Sequence, residues 1–102
     1  MKCRVVIVSP EALGDLQALY DYIAAVASPL VAGSYLRRVE AYLRGFEHNA
    51  ERGTMRDDVR PGLRIVGFER RLTIAFTVSE GDVTILRLFY GGQDWGRELD
   101  ET

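Results

Sequence analysis

Apolar and polar positions alternate along the first part of the chain in a way that predicts a strand and then a helix. Residues 2–8 are rich in β-branched side chains and predict a buried strand. Ser9 and Pro10 follow, and an N-cap residue before a proline at the first helical position predicts a helix start. This helix is expected to continue to about Ala27. Its apolar stripe, with spacings of three and four, is predicted to consist of Leu13, Leu16, Tyr20, Ile23 and Val26.

A second helix is predicted directly after the first, because Ser28-Pro29 repeats the start signal. Such a short connection predicts an antiparallel helical hairpin. Residues 48–62 have no clean period and end in Pro61-Gly62, so they predict a loop that is long enough to be a candidate functional segment. The apolar stripe of the second helix is predicted to consist of Val31 or Ala32, Tyr35, Leu36, Val39, Leu43 and Phe46.

Three strands are predicted in the second half of the chain, over residues 63–69, 71–79 and 83–90. The middle one alternates apolar and polar side chains and is followed by a hairpin turn that contains Gly81. The last one is apolar on both faces, which is typical of an interior strand. The predicted fold is therefore a single α+β domain over residues 1–102 with the order β-α-α-β-β-β. A helical hairpin is expected to pack on a mostly antiparallel four-stranded sheet.

Composition excludes several classes of protein. The chain of 102 residues is 47% hydrophobic, which excludes intrinsic disorder. No apolar run approaches the ~18 residues of a membrane-spanning helix. The N-terminus lacks the features of a signal peptide, so a cytoplasmic location is expected. Cys3 is the one cysteine, which is expected to exclude a disulfide framework and any cysteine-based metal site.

Charge is unevenly distributed along the chain. Thirteen basic and fifteen acidic residues give a net charge of −2, and twelve of the thirteen basic residues are arginine. Residues 94–102 contain four acidic residues and one arginine, a local charge of −3, so residues 1–93 carry +1. This balance excludes a strongly basic nucleic-acid binder. The preference for arginine over lysine favours specific docking contacts, although a genome rich in arginine codons would explain it equally well.

Few residues suit catalysis or metal binding. His48 is the one histidine, and a capping or solvated role at the end of the second helix is expected for it. No metal site and no cofactor are predicted. Gly91-Gly92 follows a strand but lacks the later glycine and the Lys-Ser/Thr pair of a phosphate-binding loop.

Arg87 lies inside the most apolar strand and must reach a partner, either an internal carboxylate or a group outside the fold. Strand alternation predicts that Arg87 shares a face with Ile85 and Phe89, while Tyr90 lies on the other face with Leu88. Three further arginines lie at the starts of the two preceding strands and, with Arg87, suggest a recognition surface for a phosphate or an acidic protein patch. They are Arg64, Arg70 and Arg71, of which Arg70 is expected to be solvated.

The order and spacing of several motifs resemble the RelE/ParE superfamily of bacterial toxins over nearly the whole chain, with the ParE branch as the closer likeness. The motifs are Ser9-Pro10-Glu11-Ala12, Asp15-Leu16, Tyr20-Asp21-Tyr22-Ile23, Pro61-Gly62-Leu63-Arg64 and the block from Val83 to Trp95. The resemblance implies a compact toxin that a cognate ParD-like antitoxin, encoded beside it, neutralises. ParE-like toxins act on DNA gyrase, whereas RelE-like relatives cut mRNA on the ribosome.

Three functions are therefore open. The favoured one is inhibition of gyrase by binding, with target contacts expected from Arg87, Tyr90 and Trp95. The second is an mRNA endonuclease, in which Arg64, Arg71, Arg87 and Tyr90 would stabilise charge and supply an acid. A pI near 5.4 argues against ribosome docking. The third is a small interaction domain without toxicity.

Antitoxin contacts are expected from apolar residues outside the helical stripes: Leu19, Tyr22, Leu30 and Tyr42. A single helical hairpin covers one face of a sheet, so the other face is expected to be open to a partner.

Overall fold

The computed structural model of the chain describes residues 3–91. Strand β1 (Val5–Val8) precedes the helices α1 (Pro10–Val26) and α2 (Pro29–Arg44), and a 3₁₀ turn follows at Gly45–Glu47. Four strands complete the order, namely β2 (Thr54–Met55), β3 (Arg64–Phe68), β4 (Leu72–Val78) and β5 (Asp82–Tyr90). The α+β class and the hairpin of helices are confirmed. The predicted four-stranded sheet has five strands, because the short β2 forms inside the expected loop 48–62.

The sheet has the order β1-β5-β4-β3-β2, with β1 parallel to β5 and all other neighbours antiparallel. The last strand is paired on both sides, as its two apolar faces predict. No helix in residues 3–91 has the length and apolar character needed to span a bilayer.

Both helices begin at the predicted capping residues. The Ser9 Oγ accepts a hydrogen bond from the backbone N–H of Ala12 at 3.0 Å, and the Ser28 Oγ accepts one from the N–H of Val31 at 3.1 Å. These serines satisfy N–H groups that have no partner inside the helix. Two consecutive Ser-Pro starts thus set the hairpin of helices.

The predicted stripe of α2 is confirmed, with Ala32 rather than Val31 as its first buried member. The stripe of α1 is partly wrong, because Leu13 and Val26 are 56% and 64% exposed. The buried residues of α1 are Ala12, Leu19 and Ile23. Helix α1 packs against both α2 and β5, and these contacts bury the face that contains Leu19. Leu13 and Val26, at the two ends of the predicted stripe, therefore lie outside the core.

A β-bulge interrupts the last strand. Ala75 pairs with Arg87 while the next residue of β4, Phe76, pairs with Ile85, so Leu86 is an extra residue in β5. As a result Ile85 and Leu88, three residues apart, both lie in the core under the helices. The prediction that Arg87 shares the face of Ile85 is wrong for this reason, because the bulge changes the alternation between the two residues.

The second face of the sheet is covered in part, contrary to expectation. Leu63, Ala75 and Phe89 are at most 1% exposed and form a small core of their own, against which Val59 packs. The segment that carries Val59 is closed by two contacts: Asp57 Oδ1 accepts the N–H of Gly62 at 2.8 Å, and Arg56 pairs with Asp58 at 2.8 Å. The loop 48–62 therefore covers part of the sheet face that was expected to be open to a partner.

Candidate interaction site at the end of the last strand

The second half of β5 extends beyond the end of β1, so one of its edges has no neighbouring strand there. Residues at the start of α1 contact the backbone at this edge instead. Ser9 Oγ donates to the carbonyl oxygen of Leu86 at 2.8 Å, and the backbone N–H of Leu88 donates to Asp15 Oδ2 at 2.9 Å. Since an open strand edge needs partners for its backbone groups, these contacts fix α1 along β5.

Asp15 also binds Arg87 through both carboxylate oxygens. The Arg87 Nε donates to Oδ2 at 2.8 Å and its Nη2 donates to Oδ1 at 3.0 Å. The two side chains are 23% and 17% exposed, and the guanidinium carbon lies 4.9 Å from the centre of the Phe89 ring. The sequence allowed either an internal carboxylate or a group outside the fold as the partner of Arg87. In the structure this partner is an internal carboxylate, that of Asp15. A bidentate pair of this kind both neutralises the arginine and holds it in one orientation.

A cleft of about 480 Å³ lies beside this ion pair, where α1 faces the end of β5. Tyr22 and Tyr90 face each other across it with ring centres 6.0 Å apart, and Leu19 and Arg71 also line it. Arg71 is exposed, and its guanidinium makes no hydrogen bond or ion pair with any residue in 3–91. The preceding turn residues Glu69 and Arg70 both have left-handed backbones, with φ of 49° and 66°. A strained turn thus places an exposed cation at the rim of an aromatic cleft.

Tyr35 lies behind this cleft, with its ring 6.0 Å from that of Tyr90. Its hydroxyl is buried and makes no hydrogen bond within the described part of the chain. Burial raises the pKa of the Tyr35 hydroxyl from 10.0 to about 12, and the charges of Tyr90 and Glu69 add to the effect, while those of Arg38 and Arg71 oppose it. The fold therefore favours the neutral phenol.

Replacing Tyr35 with phenylalanine is expected to change the response of stability to alkali. A pKa that is higher in the folded chain than the 10.0 of an unperturbed tyrosine means that stability is complete below pH 10 and falls as pH rises toward 12. We expect Y35F to lose less stability than the parent between these limits in urea titrations, and to be no less stable at neutral pH because it removes an unpaired hydroxyl. Parallel curves for the two proteins would contradict this.

Comparison with known proteins decides the family. The model of the ParE toxin of the type II toxin–antitoxin system, parDE, matches residues 6–95. The chain belongs to the ParE toxin family. The predicted resemblance is therefore confirmed, and it covers all the elements described above from the second residue of β1 onward.

A solved structure described as the chromosomal ParDE toxin–antitoxin system from P. aeruginosa has the same fold as this ParE-family chain. The TM-score is 0.76 at 23% sequence identity, and the match covers 87% of this chain and 97% of that one. No curated protein matches the chain significantly.

The structure brings together some of the predicted target and catalytic residues of the ParE-family chain and separates others. Tyr90 and Arg71 line one cleft, and Arg87 lies next to it in its pair with Asp15. Arg64 is opposite Phe76, four residues along β4 from Leu72, the partner of Tyr90. At about 3.3 Å per residue the offset along the strands alone is roughly 13 Å, and β4 lies between the two residues. Trp95 lies outside the described residues.

The four residues predicted to contact an antitoxin have different environments. Tyr22 and Leu30 are 56% and 79% exposed and remain available to a partner. Leu19 is 5% exposed and belongs to the core, so the expectation that it lies outside the buried face is wrong. Tyr42 is half-buried and packs on Phe68 with ring centres 4.9 Å apart.

Sequence reasoning missed Asp15 as the partner of Arg87. The signal was present: Asp15 lies three residues after Ala12 and four before Leu19, on the face of α1 that the structure buries. A carboxylate on the buried face of a helix and an arginine in an apolar strand each need a partner. Correct placement of the α1 stripe would have paired them.

Proposed function

We propose that this ParE-family chain inhibits DNA gyrase by protein–protein binding, and that a ParD-like antitoxin neutralises it. The observation that carries this proposal is the cleft at the end of β5, which presents aromatic rings and the exposed cation of Arg71 at the surface. Aromatic residues and arginine are the side chains that contribute most to protein interfaces. The family membership and the likeness to a ParDE system support an antitoxin of the ParD kind, and gyrase as the target is part of the proposal.

The arrangement is less suited to mRNA cleavage. A nuclease needs cations free to stabilise the charge that develops on the phosphate, together with an acid and a base at the same place. Here Asp15 already neutralises Arg87, and Arg64 is separated from Tyr90 along the sheet. In this proposal Arg87 is a positioning residue that holds α1 and β5 in place, and Tyr90 and Arg71 contact the target.

The charge of Arg71 provides a test against gyrase. We expect R71E to inhibit supercoiling by purified gyrase at least about tenfold less well than the parent, because a repulsive charge would then face the target. Arg70 is a matched control, since it is the adjacent exposed arginine and does not line the cleft. We expect R70E to inhibit like the parent.

Three outcomes would count against this proposal. Equal loss in R71E and R70E would show that the overall charge matters rather than the cleft. Cleavage of ribosome-bound mRNA, without any effect on gyrase, would favour the nuclease. Failure of the parent chain to act in either assay at excess over its target would favour an interaction domain without toxicity.

The antitoxin is proposed to bind at the hairpin tip, which we define as Tyr22, Val26, Leu30 and Val31. These apolar side chains are 50–79% exposed and lie on either side of the turn between the helices. A 360 Å³ pocket lined by Leu30, Val31 and Tyr90 adjoins them. Since Tyr22 belongs both to the tip and to the wall of the cleft, a partner on the tip would block the cleft. Exposed apolar patches of this kind are typical of interaction sites.

Leu30 provides a test of the hairpin tip. We expect L30D to weaken binding to the antitoxin encoded beside this chain by at least about tenfold, because an apolar anchor becomes a charge. Met55 is the matched control, as it is 45% exposed and lies in β2 at the opposite edge of the sheet from β1. We expect M55D to bind the antitoxin like the parent in calorimetry. Tight binding by L30D would place the antitoxin elsewhere.

A further inference from the structure

The fold brings three metal-binding side chains together at the start of β1. One ligand atom each of Cys3, Glu47 and His48 lie within 4.8 Å of one another. Cys3 and His48 are exposed and Glu47 is half-buried. Glu47 and His48 are neighbours, but Cys3 lies 44 positions before Glu47, so local spacing gave no sign of the cluster.

Backbone hydrogen bonds fix both sides of this cluster. The N–H of Arg4, next to Cys3, donates to the carbonyl oxygen of Glu47 at 2.9 Å. The N–H of Val5 donates to Gly81 at 3.1 Å, and that of His48 donates to Gly45 at 3.3 Å. The chain before β1 is thus tied directly to the turn that follows α2. The three side chains meet because the backbone places them there.

The geometry points to a Zn²⁺ site formed by Cys3, Glu47 and His48. A thiolate, an imidazole and a carboxylate form a mixed S, N, O set, which suits Zn²⁺ better than Mg²⁺ or Ca²⁺. Zinc bonds of about 2.0–2.3 Å at tetrahedral angles need ligand atoms about 3.4 Å apart. The widest separation in the cluster must therefore contract by at most about 1.4 Å, which rotation of the two exposed side chains can supply.

Three protein ligands leave a fourth coordination position for water or for a group from a partner. Cys3 and Glu47 also line a groove of about 600 Å³ between β1 and the helices, so this position is reached from the surface. The neighbouring cation, Arg4, donates through Nε to the Ser79 carbonyl oxygen at 2.9 Å and lies 3.8 Å from Glu51. The bound ion would link the start of β1 to the end of the hairpin of helices and so stabilise the domain.

The test uses the full chain after treatment with a chelator. We expect Zn²⁺ to bind with a stoichiometry of one in calorimetry and to raise the thermal midpoint, while Mg²⁺ does neither. Co²⁺ should give the intense visible bands of a tetrahedral site and a thiolate charge-transfer band. We expect C3S and H48A to bind Zn²⁺ at least about tenfold more weakly, and C3S to lose the charge-transfer band. Glu51→Gln is the control, because Glu51 is an exposed carboxylate nearby that does not belong to the cluster.

Two results would overturn the zinc site. One is the absence of Zn²⁺ binding to the parent chain below millimolar concentration. The other is unchanged affinity in C3S and H48A variants whose circular dichroism matches the parent. The site does not depend on the proposed toxin function, since these measurements need neither gyrase nor antitoxin.

Discussion

Replacing Asp15 with alanine is expected to destabilise the domain by about 2–3 kcal/mol. The variant would leave the Arg87 guanidinium, 23% exposed, without its carboxylate, and the N–H of Leu88 without its acceptor. Denaturant unfolding followed by circular dichroism would measure the loss. We also expect the double variant D15A/R87M to be more stable than the sum of the two single losses predicts, since it also removes the charge that Asp15 pairs with.

The Arg38–Glu69 pair is a matched control for Asp15. It is also bidentate, with distances of 2.9 and 3.1 Å, but its side chains are 51% and 40% exposed. The Arg38 guanidinium holds the pKa of the Glu69 carboxyl below its usual range. We expect E69A to cost much less stability than D15A, because solvent screens an exposed pair. Equal losses would show that Asp15 contributes no more than a surface charge.

Replacing Phe46 with alanine is expected to cost about 3–5 kcal/mol, the largest loss at any single position considered. Phe46 is fully buried, with its ring centre 4.8 Å from that of Phe76 and 5.5 Å from that of Tyr42. The guanidinium carbon of Arg52 lies 4.3 Å from the same ring and would lose its partner. A domain whose total stability is about 5–15 kcal/mol would lose a large share of it, and at the lower end of this range it would be partly unfolded.

Two variants serve as comparisons for F46A. We expect F46L to lose far less stability, since leucine fills most of the space. We expect V26A to change the unfolding free energy little, because Val26 is 64% exposed. A loss below about 1 kcal/mol in F46A would mean that the core closes around the cavity.

Much of the fold followed from local patterns. The two Ser-Pro starts, the stripe of α2 and the strict alternation of β4 each depend on a single element and its own periodicity, and all three were predicted correctly. The errors arose where two elements meet. The buried face of α1 is set by contact with both α2 and β5, and the face of Arg87 is set by the bulge opposite β4. Neither partner can be read from the periodicity of one segment.

In the candidate site, too, single residues could be predicted from their own segment, whereas contacts between distant segments could not. Tyr90 and Arg71 stand out in the sequence as unusual residues within or beside strands, and the structure places them in one cleft. Asp15 was missed because its importance depends on a contact with β5, 72 residues away. The same is true of Val59, which covers the second face of the sheet, and of Cys3, which meets Glu47 and His48.

The pairing of β1 with β5 also has a consequence for the order of folding. Ser9 and Leu86, which are joined by a hydrogen bond, are 77 residues apart, and the closure of such a long loop makes folding slow. During synthesis, β1 and the hairpin of helices leave the ribosome long before β5 is made. Until residues 82–90 emerge, β1 has no strand beside it, Asp15 has no arginine, and the wall of the cleft formed by Leu88 and Tyr90 is missing. The surface proposed to bind the target is therefore completed only once β5 has emerged, and a nascent chain that ends before residue 90 lacks it.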